Sequence, residues 1–292
     1  MGITEWLANL PIHIVVIAIV VLLAVRFALI KRQARAAKAV AEIAESLAVA
    51  MGLVFLIIRP FIVQAFFIPS ASMRPTLLER DHIMVNKFIY RFREPARGDV
   101  VVFLAPPEAT DGTERDFIKR VVAVPGDIVR ITPGYVTVGN EQIGHDRLRE
   151  TLSSLRSKGR VRLVSSNSVL VDGGPVPLGA IARAEGHPGR EVNVVPGQVL
   201  VNGKPIREPY VAEDPDAKYP GGPGAKVDPA PWTVMDRQRE RAVRIPKGKL
   251  FMMGDNRNDS SDSRAWGLLD RSRVRGEAMF VFWPLSRIRW IQ

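Results

Sequence analysis

Not one cysteine occurs in the 292 residues, which removes disulfides, thiolate metal ligands and a thiol nucleophile together. Covalent chemistry falls to serine, threonine or lysine. Histidine is scarce, with only His13, His82, His145 and His187. His13 lies in an apolar run, His82 alternates with Ile83 in an extended stretch, and the other two fall in what reads as an insertion; each reads as a surface or strand histidine rather than a catalytic base. Neither G-x-S-x-G nor S-x-x-K occurs, which weighs against α/β-type hydrolases and penicillin-binding enzymes. Acidic side chains are outnumbered, 30 against 41 basic ones, for a net charge of +11. Such an excess points to anionic partners, nucleic acid or lipid headgroups, and says nothing about fold. Hydrophobic residues make up 47%, enough for one large domain or two modest ones.

Long apolar runs are present at one end. Residues 11 to 30, "PIHIVVIAIVVLLAVRFALI", are interrupted only by His13 and Arg26, and about 20 such residues span a hydrocarbon core. A cleaved signal peptide is disfavoured: Glu5 and no basic residue precede the run, and "KRQAR" follows it. A second span is expected over about 40–59, built on Leu47 to Ile58 and ending at Arg59-Pro60. Lys31, Arg32, Arg35 and Lys38 lie between the two, so the positive-inside rule places that loop in the cytoplasm and both termini outside. The alternative is one span with an interfacial second helix, which would leave the rest of the chain in the cytoplasm. After Pro60, "FIVQAFFIP" is too short to span and reads as a strand buried on both faces or touching lipid.

From residue 81 onward, short β-rich runs alternate with turn residues, as in "DVVVFLAP", "DFIKRVVAVPGD" and "LFMMGDNR". This predicts a mostly β fold with few helices, a barrel or sandwich. The stretches beginning at Tyr135, Ser168 and Gln198 share one form, and Asp172-Gly173 and Asn202-Gly203 signal two-residue hairpins; a duplication and mere reuse of hairpin chemistry explain this equally well. Residues 140–200 read as an inserted β subdomain with a charged helix near "DRLRETLSSLRSKGR". Residues 213 to 232, rich in proline and glycine, read as an exposed loop that contributes nothing to the core.

Three stretches could carry chemistry. In "IPSASMRPTL", Pro69 fixes its own φ and Pro75 restricts Arg74, so the hydroxyls of Ser70 and Ser72 sit on a stiff loop. In "FIKRVVAV", Lys119 shares a strand face with Phe117, Val121 and Ala123; burial of that face would lower the lysine pKa toward that of a general base. Arg120 points the other way and stays charged. "GDNRNDSSDSRAWG" packs Asp255, Arg257, Asp259, Asp262 and Arg264 among hydroxyls. It lacks the mid-loop glycine and terminal glutamate of an EF-hand loop, so it reads as a network of ion pairs, and no metal or cofactor is expected.

Taken in order, "IPSASMRPTL", "RGDVVVF", "FIKRVVAVPGD" and "GDNRNDSSDSRAWG" after a two-span N-terminus resemble the boxes of bacterial type I signal peptidases, membrane-bound serine proteases that remove signal peptides from exported proteins. The matching boxes fall within roughly residues 60 to 128 and 245 to 283. The resemblance implies an antiparallel β-barrel-like catalytic domain over 61–139 and 201–292, with residues 1–60 as membrane anchor. It implies Ser72 as nucleophile, Lys119 as general base, Ser70 with the Ser72 backbone N–H as oxyanion hole, and Ser260 orienting the lysine amine. Asp255, Arg257, Asp262 and Arg264 would support the site, with Asp255 paired to Arg120. Preprotein signal peptides and membrane lipids are then the expected partners, with the protein-export translocon as a further candidate and nucleic acid disfavoured. The catalytic domain would face the extracytoplasmic, periplasmic side of the cell's inner membrane. Asn258-Asp259 reverses the usual order of acid and amide, and the 140–200 insertion has no counterpart in short members. A repressor-type Ser/Lys autoprotease would need a DNA-binding domain in place of the spans, and a binding protein on this barrel would need neither Ser72 nor Lys119.

Overall fold

The computed structural model describes residues 11–292 apart from 33, 111, 156–158, 165–167, 212, 223, 224 and 228, with backbone alone at 57–61 and 164. Residues 1–10, whose lack of basic side chains entered the expected orientation, lie outside the described residues. Two helices come first: α1, Ile12–Leu29, and α2, Arg35–Gly52. They pack on each other, and the side chains buried there are Val15 on α1 and Ala41, Ala44 and Ala48 on α2. Spacings of three and four put those alanines on one face, where small side chains let two helices approach closely. Arg26 Nε donates to Glu45 at 2.6 Å and ties the pair together. The outward faces are apolar and exposed, as at Ile17, Val20, Phe27, Ile43 and Val49. Both helices are long and apolar enough to cross a bilayer, with mean hydropathy 2.8 over Ile12–Leu29 and 1.9 over Arg35–Leu56.

The second helix does not stop at Pro60. It continues as a wider-turned stretch, Leu53–Ile62, and passes directly into a strand at Val63. Proline lacks an N–H and its ring crowds the preceding turn, so a looser helical winding is the local accommodation.

Beyond Val63 the chain is mostly antiparallel β-structure, as expected. The largest sheet curls as a half-barrel in the order Val63–Phe67, His82–Asn86, Val274–Trp283, Val100–Leu104, Asp116–Ala123, Lys249–Met253, Leu269–Asp270, and the short strand Arg289–Trp290 also pairs with Val274–Trp283. Val, Ile and Phe dominate the central strands Val100–Leu104, Asp116–Ala123 and Lys249–Met253, which are buried on both faces; Val100–Phe103 shows four buried residues in a row. A five-stranded sheet built around Ile128–Thr132 packs on it through Val122, Val129, Val243, Phe251 and Met253. A separate hydrophobic cluster, with Val136, Ile143, Leu148, Leu163, Val169 and Ile181, joins two three-stranded sheets and the helices His145–Ser154 and Leu178–Ala184.

The three similar stretches each form one hairpin, in three different sheets. Asp172 and Gly173 at φ 48° and 84°, and Asn202 and Gly203 at 57° and 79°, have the left-handed backbone that a two-residue hairpin turn requires.

The expectation of an exposed loop also fails. Residues 213 to 232 do supply core: Tyr219 is 3% exposed and packs on Phe251 with ring centroids 5.0 Å apart, and Glu213 and Asp214 are also buried. Proline and glycine there shape a segment that crosses a seam between sheets, so its composition follows the path and not exposure. His145 likewise is buried at the start of its helix, 3.1 Å from Asp214, where a surface position was expected.

Candidate active site

The Ser72 loop leaves the sheet after Phe67 and returns at His82. Ile68, Met73 and Leu77 anchor it in the core beneath, each 2% exposed or less. Ala71–Met73 makes one tight helical turn, and Leu77 N donates to Met73 O at 2.9 Å. From outside the loop, Asn256 holds it twice: its N–H reaches Ser72 O at 3.1 Å and its Nδ2 reaches Ala71 O at 3.1 Å.

Lys119 stands on the strand Asp116–Ala123, between Val100–Leu104 and Lys249–Met253, with Val101 directly opposite. Its Nζ donates to Ser72 Oγ at 2.7 Å and to Ile118 O at 3.0 Å. Burial pushes the ammonium down to about 8; Asp262 and Asp255 oppose that shift and Arg264 reinforces it. At that value roughly a tenth of molecules carry a neutral amine at pH 7, against about one in a few thousand for an unshifted lysine. Ser70 Oγ lies 3.3 Å from Ser72 Oγ on the loop's open side.

Behind the pair lies a buried ionic network. Arg120 grips Asp255 with two hydrogen bonds of 2.9 and 2.7 Å and donates to Gly98 O at 2.8 Å. Asp255 also accepts from Thr76 Oγ1 at 2.5 Å, which ties the network to the Ser72 loop. Asp262 accepts from the N–H of Gly254 at 3.2 Å and from Nη2 of Arg264 at 2.8 Å. Burial alone would raise the Asp262 pKa, but Arg264 and these N–H donors hold it below the usual range. Arg257 donates to Gly254 O at 3.1 Å and to both oxygens of Glu208.

Ser260 does not reach Lys119. Its Oγ is buried without a hydrogen-bond partner, and it stands against Gly254, where an added Cβ would come 2.3 Å from it and 2.4 Å from Ser72 O. Asp259 lies exposed on the wall of a groove of about 410 Å³ that also includes Ser70, Ser72, Phe117 and Lys119.

Thr76, Glu208 and Tyr210 belong to the site and were not singled out in the sequence. A count of charge signals one of them only once Asp259 is seen to be exposed: three arginines then face two aspartates, and a buried network does not tolerate the unpaired positive charge. Glu208 supplies the missing carboxylate.

The sequence profile of the family described as signal peptidase, peptidase S26 matches residues 40–181 and 178–283. The chain belongs to that family. A probable signal peptidase I of Synechocystis is 29% identical over 236 residues, covering 80% of this chain and 77% of its own. The signal peptidase I of Aquifex aeolicus is 29% identical over 242 residues, covering 79% and 80%. A solved signal peptidase I from Enterococcus faecalis covers 63% of this chain and 97% of its own at 16% identity, with a TM-score of 0.23, too low to carry weight. As a member of the signal peptidase family the chain is a serine peptidase, and its two N-terminal apolar helices fit a membrane anchor.

Proposed function

We propose that the protein removes N-terminal signal peptides from exported preproteins, cutting after small-x-small sites with Ser72 as nucleophile and Lys119 as general base. The 2.7 Å contact between Lys119 Nζ and Ser72 Oγ in a dry setting carries the reading. Neutral Lys119 takes the Ser72 proton as Oγ attacks the scissile carbonyl, and the Ser70 hydroxyl with the Ser72 N–H receives the oxyanion. Lys119 then gives the proton to the leaving amine and activates the water that hydrolyses the acyl-enzyme. Ser260 is the hydroxyl proposed to orient the Lys119 amine, a contact not made in this structure, where its Oγ is buried without a partner.

We place the catalytic domain on the extracytoplasmic face, with the basic loop of Lys31, Arg32, Arg35 and Lys38 in the cytoplasm. Two features support apposition to lipid. The sheet begins at Val63 directly after the anchor helix, and Phe67, Trp283, Leu285, Ile288 and Trp290 expose large apolar surfaces near that edge. Residues 61–139 and 201–292 form the catalytic unit in this reading and 140–200 the insertion; the translocon is a further partner.

The test is cleavage of a preprotein with an A-x-A site by the full chain in detergent, beside Ser72→Ala and Lys119→Ala. Cutting after the −1 residue by the wild type alone supports the reading. Equal cutting by all three, or none, overturns it.

A further inference from the structure

We propose that Glu208 and Tyr210, two residues apart in one turn, are positioning residues of the site: Glu208 neutralises the buried network behind Lys119, and Tyr210 covers its inner arginine. The inference rests on the functional reading above and extends it to a segment that no box of the sequence includes.

The turn follows the hairpin at Asn202-Gly203, and Val211 N donates to Glu208 O at 3.3 Å. Glu208 faces Arg257: Nη1 donates to Oε2 at 2.7 Å, Nη2 donates to Oε1, and the two side chains are 9% and 1% exposed. Tyr210 lays its ring on the other cation, with Arg120 Cζ 3.7 Å from the ring centroid. Its hydroxyl donates back to Glu208 Oε1 at 3.3 Å. The two guanidiniums so held lead to opposite arms of the site. Arg257 accepts from Arg264 through its carbonyl and closes the 254–264 loop on Gly254. Arg120 reaches the Ser72 loop through Asp255 and Thr76.

Arg120, Arg257 and Arg264 carry three positive charges, and Asp255, Asp262 and Glu208 carry three negative ones. Without Glu208 the network is cationic, and a like charge nearby favours a neutral lysine. The other charged groups around Lys119 do not repair this. Asp116 on its own strand pairs with Arg275, and Arg115 just before that strand is exposed; on the Ser72 loop Arg74 pairs with Glu79, Asp81 pairs with Arg287 and Arg80 is exposed; Arg289 donates to Thr76 O; Asp259 is exposed to solvent. Tyr210 contributes no charge, so it acts through geometry alone, a flat partner for a planar cation.

The two roles separate by experiment on the full chain in detergent. The titration of Lys119 is followed by its ¹³Cε resonance, assigned with Lys119→Met, alongside the pH dependence of kcat/KM on an A-x-A preprotein. In Glu208→Gln the lysine titration and the acid limb of kcat/KM move together to lower pH. Glu208→Asp, which keeps the charge, restores both. Tyr210→Leu lowers kcat and leaves the titration in place. The double variant Glu208→Leu with Arg257→Leu removes both charges and returns the lysine to its wild-type titration even if Glu208→Gln alone folds poorly. A Lys119 titration unmoved in Glu208→Gln, or one moved equally in Glu208→Asp, overturns the proposal. The resonance needs no substrate, so a chain that shows the shift yet cuts no preprotein would overturn the functional reading alone.

Discussion

Lys119 Nζ meets Ser72 Oγ at 2.7 Å across 47 positions of chain, on a strand whose neighbours leave the lysine only 5% exposed. A lysine near 8 rather than 10.5 has a direct kinetic consequence. Base catalysis needs the neutral amine, so kcat/KM should rise about tenfold per pH unit up to about 8 and level off above it. A pH–rate profile on a preprotein checks this; a limb near 10.5 would mean that Lys119 is solvated in the working enzyme.

The same burial costs stability. Between about 8 and 10.5 the unfolded chain binds a proton at Lys119 that the folded chain does not, so stability rises with pH across that window. Below 8 the penalty is complete. Lys119→Met should therefore abolish cleavage while raising stability by about 1–3 kcal/mol at pH 7, a gain that shrinks toward pH 10. Denaturant melts of the two proteins at both pH values measure it. A less stable methionine variant at pH 7 would show that the hydrogen bonds to Ser72 and Ile118 outweigh the desolvation.

Asp255 is the hub at which both arms of the site meet, accepting from Arg120 and from Thr76. Asp255→Ala strands a buried guanidinium, a loss of about 3–5 kcal/mol. It also frees the Ser72 loop from its tie. Unfolding midpoints and activity should fall together, and full activity in a folded variant would argue that Asn256 alone holds the loop.

These relationships were legible in the sequence to different depths. The alternation of "FIKRVVAV" foretold a lysine on a buried face, and the prolines around Ser70 and Ser72 foretold a stiff loop. Both signals are local. Glu208 and Tyr210 sit in a polar turn whose partners lie 49 residues downstream and 90 upstream, at Arg257 and Arg120. No periodicity reports such pairing, and in the sequence Asp259 conceals the charge imbalance of the network. Tyr219 was hidden by composition, because the prolines around it describe the backbone's path and not its depth. Ser260 shows the opposite case, a role implied by resemblance whose contact with Lys119 is not made in this structure.

Ser70 lies beside the nucleophile but apart from the ionic network, 3.3 Å from Ser72 Oγ and exposed. Its loss should therefore spare the fold. Ser70→Ala is expected to lower kcat by about 10²-fold with KM little changed, the signature of a lost oxyanion donor. A large rise in KM with kcat intact would assign Ser70 to substrate binding instead.

Gly254 is one of the points where the network loop meets the Ser72 loop, and its requirement is space rather than an unusual backbone angle. A Cβ there would stand 2.4 Å from Ser72 O and 2.3 Å from Ser260 Oγ. Rotating the serine hydroxyl does not clear the site, because Ser260 Cβ itself would stand at 2.7 Å; the Ser72 carbonyl belongs to a loop pinned from below by Met73 and Leu77 and cannot yield without carrying Ser72 with it. Gly254→Ala should therefore cost far more activity than stability, on the order of 10²-fold or more in kcat for a displacement near 1 Å at the nucleophile. Thermal melts beside single-turnover cleavage separate the two effects. If melting and turnover fall in proportion, the glycine serves the fold; if turnover alone collapses, the contact between the two loops sets the distance from Ser72 to Lys119.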